Sequence, residues 1–228
     1  MLDEIKKSDS IEDYLKTIYD LTQNYGGATT SKIADALNVT PASVSGMIKK
    51  LAALSPPLIK YQKHRGVVLT EAGRKVALEV IRYHRLLELF LKELLGFSWD
   101  EVDEEADKLE HVISTEMAER IAQALGNPAF DPHGDPIPTR DLRMPEHEFV
   151  CLSSLRPKQN AVIRRVRDTD PALLRYLSGK GIVPDTRFTV VEYSQFDGNI
   201  VLKVNACDST VVLGERITDQ IFVEVIES

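Results

Sequence analysis

The stretch TTSKIADALNVTPASVSGMIKKL, residues 29–51, constrains the chain most. Ile33, Ala34 and Leu37 form one short apolar face, and Val44, Ile48 and Leu51 form another. Between them NVTPAS supplies a tight turn, with Thr40 at the N-cap and Pro41 at the first helical position. Two short helices joined this way, the second rich in small polar residues, read as a helix-turn-helix. LIKYQKHRGVVLT follows at 58–70, where LIKY and VVLT flank a turn and make a β-hairpin wing. Upstream, Ile11, Tyr14, Leu15, Ile18 and Tyr19 recur at helical spacing within 11–25.

Net charge is −7, which as an average argues against nucleic acid as a partner. Its distribution says otherwise. Between 41 and 75, Lys49, Lys50, Lys60, Lys63, Arg65, Arg74 and Lys75 stand against one acid, Glu71. A recognition helix presents short polar side chains to base edges while flanking cations neutralise phosphates. Thr40, Ala42, Ser43 and Gly46 are therefore expected to face the major groove, with Pro41 and Ser45 also among the DNA-binding residues. Lys49, Lys50, Lys63 and Arg65 are expected at phosphates, and His64 and Arg65 at the wing tip. The bland alternative is a three-helix packing motif with a solvated basic face.

The rest of the chain has two textures. TEAGRK caps a long helix over about 71–95, and a second helical stretch over about 99–125 is expected to break near His111–Ser114. In it Val102, Ala106, Leu109, Val112, Met117 and Ile121 are the apolar positions. Residues 126–149 hold five prolines and read as a linker or boundary. Beyond 150 short β-rich runs take over (AVIRRV, RFTVVEY, NIVLKVNA, TVVLG, IFVEVI), with one helical insert, DPALLRYLSGKG. They predict a small β-barrel-like domain. No apolar run approaches the ~20 residues of a membrane span, and MLDEIKKSDS lacks a signal-peptide core. Cys151 and Cys207 form no CxxC pair. A cytoplasmic protein is expected.

Chemistry concentrates in the helical middle. Asp100, Glu101, Asp103, Glu104, Glu105, Asp107 and Glu110 stand against Lys108, so an acidic patch follows the basic one. In EEADKLEHVIS, Asp107, Glu110 and His111 share a face if the stretch is helical. His84 and Glu88 in RYHRLLELF share another at i, i+4, as metal ligands require. Asp13, on the polar side of the first helix, offers one more oxygen. Spacing alone leaves three readings open: solvated acidic helices, a cation site, or carboxylates and imidazoles activating water as in a metal-dependent hydrolase. Against the hydrolase, the chain has no HExxH, no GxSxG and no phosphate-cradling glycine loop.

EDYLKTIY, SKIADALNVTPASVSGMIKKL, KYQKHRGVVLTEAGRK, HRLLELFL, DKLEHVIS and PHGDPIP occur here in that order. Together they resemble the diphtheria-toxin-repressor family of metal-dependent bacterial transcriptional repressors, in particular its manganese-responsive branch. The terminal part, LSSLRPKQNAVIRRVRDTDPALLRYLSGKGIVPDTRFTVVE, resembles the SH3-like, FeoA-like domain of its longer members. The resemblance places the principal regulatory metal site on Asp13, His84, Asp107, Glu110 and His111. Iron-type members have methionine and cysteine in place of Asp13 and Asp107. An oxygen-rich set suits Mn²⁺. An ancillary site maps to Glu88, Asp131, His133 and Asp168, with DPHG where relatives have CPHG and Asp103 where iron-type members have histidine. Lys16 stands where short manganese-type members carry a second carboxylate, which argues against a two-manganese cluster.

The expected protein is mainly α with a small β domain. A winged helix-turn-helix occupies 1–73, a helical dimerisation and metal-binding domain 74–140, a linker 141–149 and an SH3-like domain 150–228. It is expected to be a homodimeric Mn²⁺-dependent repressor of metal homeostasis on double-stranded operator DNA, with no membrane and no small organic substrate. Fe²⁺ or another divalent transition metal is the alternative within the family. A DNA-binding regulator blind to metal is the alternative outside it.

Overall fold

The computed structural model describes residues 9–64, 66–167, 170–205 and 209–226, which divide into two compact units. One comprises the chain up to His84, with Lys108–Thr115 and Pro138–Met144; the other comprises Arg85–Asp107, Glu116–Ile137 and the chain from Pro145. Arg65, Asp168 and Cys207 lie outside the described residues.

In the first unit, α1 (Asp9–Tyr25), α2 (Thr30–Ala36) and α3 (Pro41–Ala52) precede a hairpin of β1 (Ile59–Gln62) and β2 (Gly66–Leu69). Each short helix is capped as its sequence dictates. Thr29 accepts from the Lys32 amide at 3.3 Å and Thr40 from the Ser43 amide at 3.2 Å, with Pro41 opening α3. The hairpin is antiparallel, from Ile59↔Leu69 to Gln62↔Gly66. It is stitched to the chain before α2 by the Val67 amide, which donates to the Ala28 carbonyl at 2.9 Å. Gly66 has φ +77°, and a Cβ there would lie 2.5 Å from the same carbonyl, so only glycine permits this contact. Ile11, Tyr14, Leu15 and Ile18 of α1, Ile33 of α2, Val44 and Leu51 of α3, Val67 of the wing and Ile81 share one buried core. Burying such side chains contributes roughly 1.5–3 kcal/mol each.

The long helix α4 runs over Glu71–Leu95, and Gly96 follows it with φ +77°. The 99–125 stretch is two helices, α5 (Val102–Leu109) and α6 (Thr115–Ala124), as the sequence suggests. One detail differs. Glu110 and His111 fall in the turn after α5, where the Val112 and Ile113 amides both donate to the Leu109 carbonyl. The β-branched pair Val112–Ile113 and then Ser114 disfavour helix continuation. Val112 and Met117, expected on the apolar face, are consequently exposed at 73% and 47%.

The second unit contains the β domain. Strands β3 (Val150–Cys151), β4 (Asn160–Val166), β5 (Arg187–Tyr193), β6 (Ile200–Val204), β7 (Ser209–Leu213) and β8 (Ile221–Ile226) form an antiparallel sheet ordered β3-β8-β4-β5-β6-β7. Helices α7 (Pro171–Ser178) and α8 (Glu215–Thr218) complete the domain. Trp99, Leu152, Ile163, Leu174, Phe188, Leu202 and Val223 belong to its core. The proline-rich stretch is not a loose linker throughout: Asp131, Pro132, His133 and Gly134 are buried. Gly134 (φ +87°) lets that turn meet β4, since a Cβ would lie 1.8 Å from the Arg164 carbonyl. Among the described residues no helix is long and apolar enough to cross a membrane.

Candidate metal centre and DNA-reading face

The expected principal site assembles around Glu110, whose side chain is 1% exposed. Glu110 sits in the turn after α5; five residues on, Thr115 Oγ1 accepts from the Tyr83 hydroxyl at 2.8 Å. Glu110 Oε2 lies 2.6 Å from His84 Nδ1 and accepts from Lys16 Nζ at 2.8 Å. The Lys16 nitrogen is also 3.0 Å from His84 Nδ1. Glu110 Oε1 lies 3.4 Å from His111 Nε2, which in turn is 2.9 Å from Asp13 Oδ1. The other His111 nitrogen, Nδ1, lies 2.6 Å from Glu12 Oε2.

His111 thus sits between carboxylates on both ring nitrogens, the setting of an imidazolium that donates twice. Burial works against its charge, but the Glu12 hydrogen bond and the charges of Glu110 and Asp13 outweigh that and raise its pKa. Glu12 and Asp13 are both pushed up by burial, with His111 partly offsetting the shift. Two nearby cations, Lys16 and a His111 imidazolium, therefore stand against three carboxylates, Glu12, Asp13 and Glu110. Carboxylate and imidazole donors from Asp13, Glu110 and His111 come within 4.8 Å of one another, a set that fits a divalent cation. Asp107 is exposed in α5, one turn before Glu110 in sequence.

The second cluster is Glu88, Asp131 and His133, all buried, with donor atoms within 4.8 Å of one another. His133 Nε2 lies 2.7 Å from the Trp99 carbonyl and so carries the proton, donating to it. Nδ1 then faces Glu88 Oε1 at 3.2 Å. A metal-ligating histidine characteristically donates its other N–H to a carbonyl, so this ring is preset to coordinate through Nδ1. Asp131 Oδ1 accepts the amides of His133 and Asp135 at 2.8 and 2.9 Å, leaving Oδ2 as the ligand atom, 3.6 Å from Arg85 Nε. Burial lowers the pKa of His133, but Glu88 and Asp131 overcome it and push the group up to about 9. Burial first, then the charges of Glu88 and Asp135, raises Asp131. These donors also fit a divalent cation.

On the winged helix, Thr40, Pro41, Ala42, Ser43, Ser45, Gly46, Lys49, Lys50, Lys63 and His64 are all exposed, while Val44 between them is buried. Thr40 and Ser43 hydroxyls bond each other at 3.0 Å and Ser45 Oγ donates to the Pro41 carbonyl at 2.9 Å. Gly46 faces open space. A shallow cleft of about 460 Å³ beside α3 adds Thr29, Thr30 and Tyr61, the last 79% exposed.

Sequence reasoning missed several of these groups. Glu12 gave no signal beyond its place next to Asp13. Arg85 and Asp135 frame the second cluster through their 3.3 Å ion pair. The Trp99 carbonyl is a backbone group and leaves no trace in the sequence. Tyr61 was legible only as an apolar strand position.

A winged helix joined to a helical segment that gathers buried imidazoles and carboxylates defines a class, the metal-responsive DNA-binding regulators. Residues 6–67 match the family model for the iron dependent repressor N-terminal DNA binding domain. Residues 70–139 match its metal binding and dimerisation domain, and 150–225 match the FeoA domain. The chain is 33% identical over 195 residues to the iron-dependent repressor IdeR of Mycobacterium leprae (strain TN), covering 80% of this chain and 84% of that one. It is 33% identical over 167 residues to the diphtheria toxin repressor of Corynebacterium jeikeium (strain K411), covering 72% and 69%. A solved manganese-dependent transcriptional repressor in complex with manganese superposes with a TM-score of 0.86 at 37% identity, covering 94% and 99%. The chain belongs to the diphtheria-toxin-repressor family of metal-dependent, DNA-binding transcriptional repressors. That family is non-enzymatic, which removes the hydrolase reading.

Proposed function

We propose that this repressor responds to Mn²⁺, held principally by Asp13, His84, Asp107, Glu110 and His111. Glu88, Asp131, His133 and Asp168 would form an ancillary site. The donor set carries this reading: among the described residues the clustered groups are carboxylates and imidazoles with no cysteine, and oxygen-rich sites suit Mn²⁺. Asp107 and Asp168 enter through the family resemblance. The similarity to an iron-dependent repressor over 80% of the chain supports Fe²⁺ as the second reading. The same proposal assigns 1–73 to DNA binding, 74–140 to dimerisation and metal binding, 141–149 to a linker and 150–228 to the SH3-like domain.

A bound divalent cation supplies positive charge among carboxylates that otherwise depend on Lys16 and a protonated His111. The chain's own residues carry the consequence to DNA. Asp13 lies on the polar side of α1, while Ile11, Tyr14, Leu15 and Ile18 of that helix share a core with Val44 and Leu51 of α3. Fixing Asp13 therefore fixes α1 and, through the core, the recognition helix. In a homodimer this sets how two copies of α3 meet successive major grooves. Affinity for DNA shifts only by the difference in metal affinity between the competent and incompetent states.

The test is Mn²⁺ binding by equilibrium dialysis, paired with anisotropy on a duplex selected from a random pool by the Mn²⁺-loaded protein. Mn²⁺ should tighten the complex, and Asp13→Ala or His111→Ala should erase that effect. Binding that ignores metal would sink the switch. Tighter binding of Fe²⁺ than Mn²⁺ under anaerobic conditions would hand the site to the second reading.

A further inference from the structure

We propose that Lys16 is a tethered competitor for the principal metal site, an ammonium that must leave Glu110 before a cation can use that carboxylate fully. The inference rests on reading the cluster as a metal site. It goes further by giving Lys16 the role of setting the metal concentration at which the site fills.

The geometry is compact. Lys16 Nζ, Glu110 Oε2 and His84 Nδ1 stand 2.8, 3.0 and 2.6 Å apart, so each is within hydrogen-bond reach of the other two. Two of the three are ligand atoms of the proposed site, and the third is a positive charge between them. A divalent cation bonded to that oxygen and nitrogen would need roughly 2.0–2.6 Å to each. It would meet the ammonium at close range and compete for the same lone pairs. Both cannot be held there at once.

Burial decides which partner moves. The Glu110 side chain is 1% exposed, whereas that of Lys16 is 21% exposed on α1. A lysine stem can carry its charged end outward while its methylenes stay packed. Of the pair, Lys16 is thus the partner better placed to move. Its presence gives Glu110 a counter-charge in the metal-free chain and weakens the site for metal by the strength of that pairing. A charge-assisted hydrogen bond contributes roughly 1.5–3 kcal/mol, so its removal should tighten metal binding about tenfold to a hundredfold.

The full-length protein and its Lys16→Met and Lys16→Gln variants are titrated with Mn²⁺, with free ion read by electron paramagnetic resonance. Both variants should bind at least about tenfold more tightly than wild type. In parallel, acetylation of Lys16 in the wild type by an amine-reactive reagent is followed by mass spectrometry. It should be slow in chelator and accelerate when Mn²⁺ is added. Equal or weaker affinity in both variants overturns the proposal, as does Lys16 labelling that is unchanged or slowed by Mn²⁺. The labelling arm uses wild type alone, so it decides even if a variant fails to fold. If wild type binds no Mn²⁺ and Asp13→Ala changes nothing, the metal-site reading falls too, an outcome distinct from tight wild-type binding that Lys16 does not affect.

Discussion

The two clusters use the same donor types and build them in opposite ways. Around Glu110 the partners are side chains from α1, α4 and the turn after α5, and Asp13 is 44% exposed. Around His133 the partners are backbone groups as much as side chains: the Trp99 carbonyl fixes the tautomer and two amides fix Asp131. The first arrangement leaves its ligands adjustable and tied to a helix of the winged-helix core. The second holds its ligands in place before any ion arrives. A site that must change the protein on binding needs differential affinity between states, which a prearranged cluster supplies poorly. On the proposed reading, the first cluster suits a sensor and the second a stabilising site.

The sharpest way to break this contrast is to remove one histidine from each. His133→Ala removes the bonds to Glu88 and the Trp99 carbonyl from a fully buried group. It should cost about 3–5 kcal/mol, as breaking a buried pair does, read as a lower urea midpoint in chelator. His111→Ala should cost less, because its ring is 11% exposed and its partner Asp13 is 44% exposed, so solvent can replace part of what is lost. Equal losses would erase the distinction.

Asp13→Ala is the complementary change. Metal-free stability should move by less than about 1 kcal/mol, since this is a partly exposed pair, and His111 keeps Glu12. The Mn²⁺-induced gain in DNA affinity should fall by at least about a hundredfold, roughly 3 kcal/mol. Glu88→Ala should instead leave much of that gain intact while lowering the midpoint. Reversal of these two outcomes would exchange the roles of the clusters.

Acidity offers a third handle. His133 is raised to about 9 from an ordinary value near 6.5. The folded chain therefore holds a proton that the unfolded chain releases, so this stability is full below pH 6.5 and is lost as pH rises through about 9. In chelator the unfolding free energy of wild type, read by urea titration, should fall across that window by up to about 3 kcal/mol relative to His133→Ala. Metal affinity at the second cluster should rise over the same window, because the ion competes with that proton. A pH-independent difference between the two proteins would show that His133 is not held protonated.

Much of the fold was legible because its signals are local. Thr40 and Pro41 announce the start of α3, the 71–95 periodicity gives α4 at its observed bounds, and the strand runs beyond 150 fall where β4 to β8 do. The clusters were legible in part. His84, Glu110 and His111 could be named, but helical spacing misplaced the last two, which sit in a turn closed by the Val112 and Ile113 amides on the Leu109 carbonyl. Prolines between 126 and 149 suggested a linker or boundary, because composition reports chain stiffness and not burial. The packing of Gly134 on the Arg164 carbonyl is a tertiary contact that no window contains. Lys16 stood out only as a departure from relatives; its bond to Glu110 spans 94 positions of sequence.

Glu12 gives the finest distinction. It touches His111 Nδ1 at 2.6 Å while Nε2 faces Asp13 and Glu110, so it orients the ring without offering its oxygen to the same point. An outer carboxylate of this kind raises ligand basicity and fixes the tautomer, and losing one costs about tenfold to a hundredfold in metal affinity. Glu12→Gln keeps shape and can still hydrogen-bond, so the lower end, about tenfold or 1.4 kcal/mol, is expected for Mn²⁺. The corresponding group in the second cluster, the Trp99 carbonyl, cannot be removed by changing a side chain. Trp99→Phe should therefore leave metal affinity there unchanged while Glu12→Gln shifts it at the first site. Isothermal titration of both variants decides whether one orienting group is held by side chain and the other by backbone.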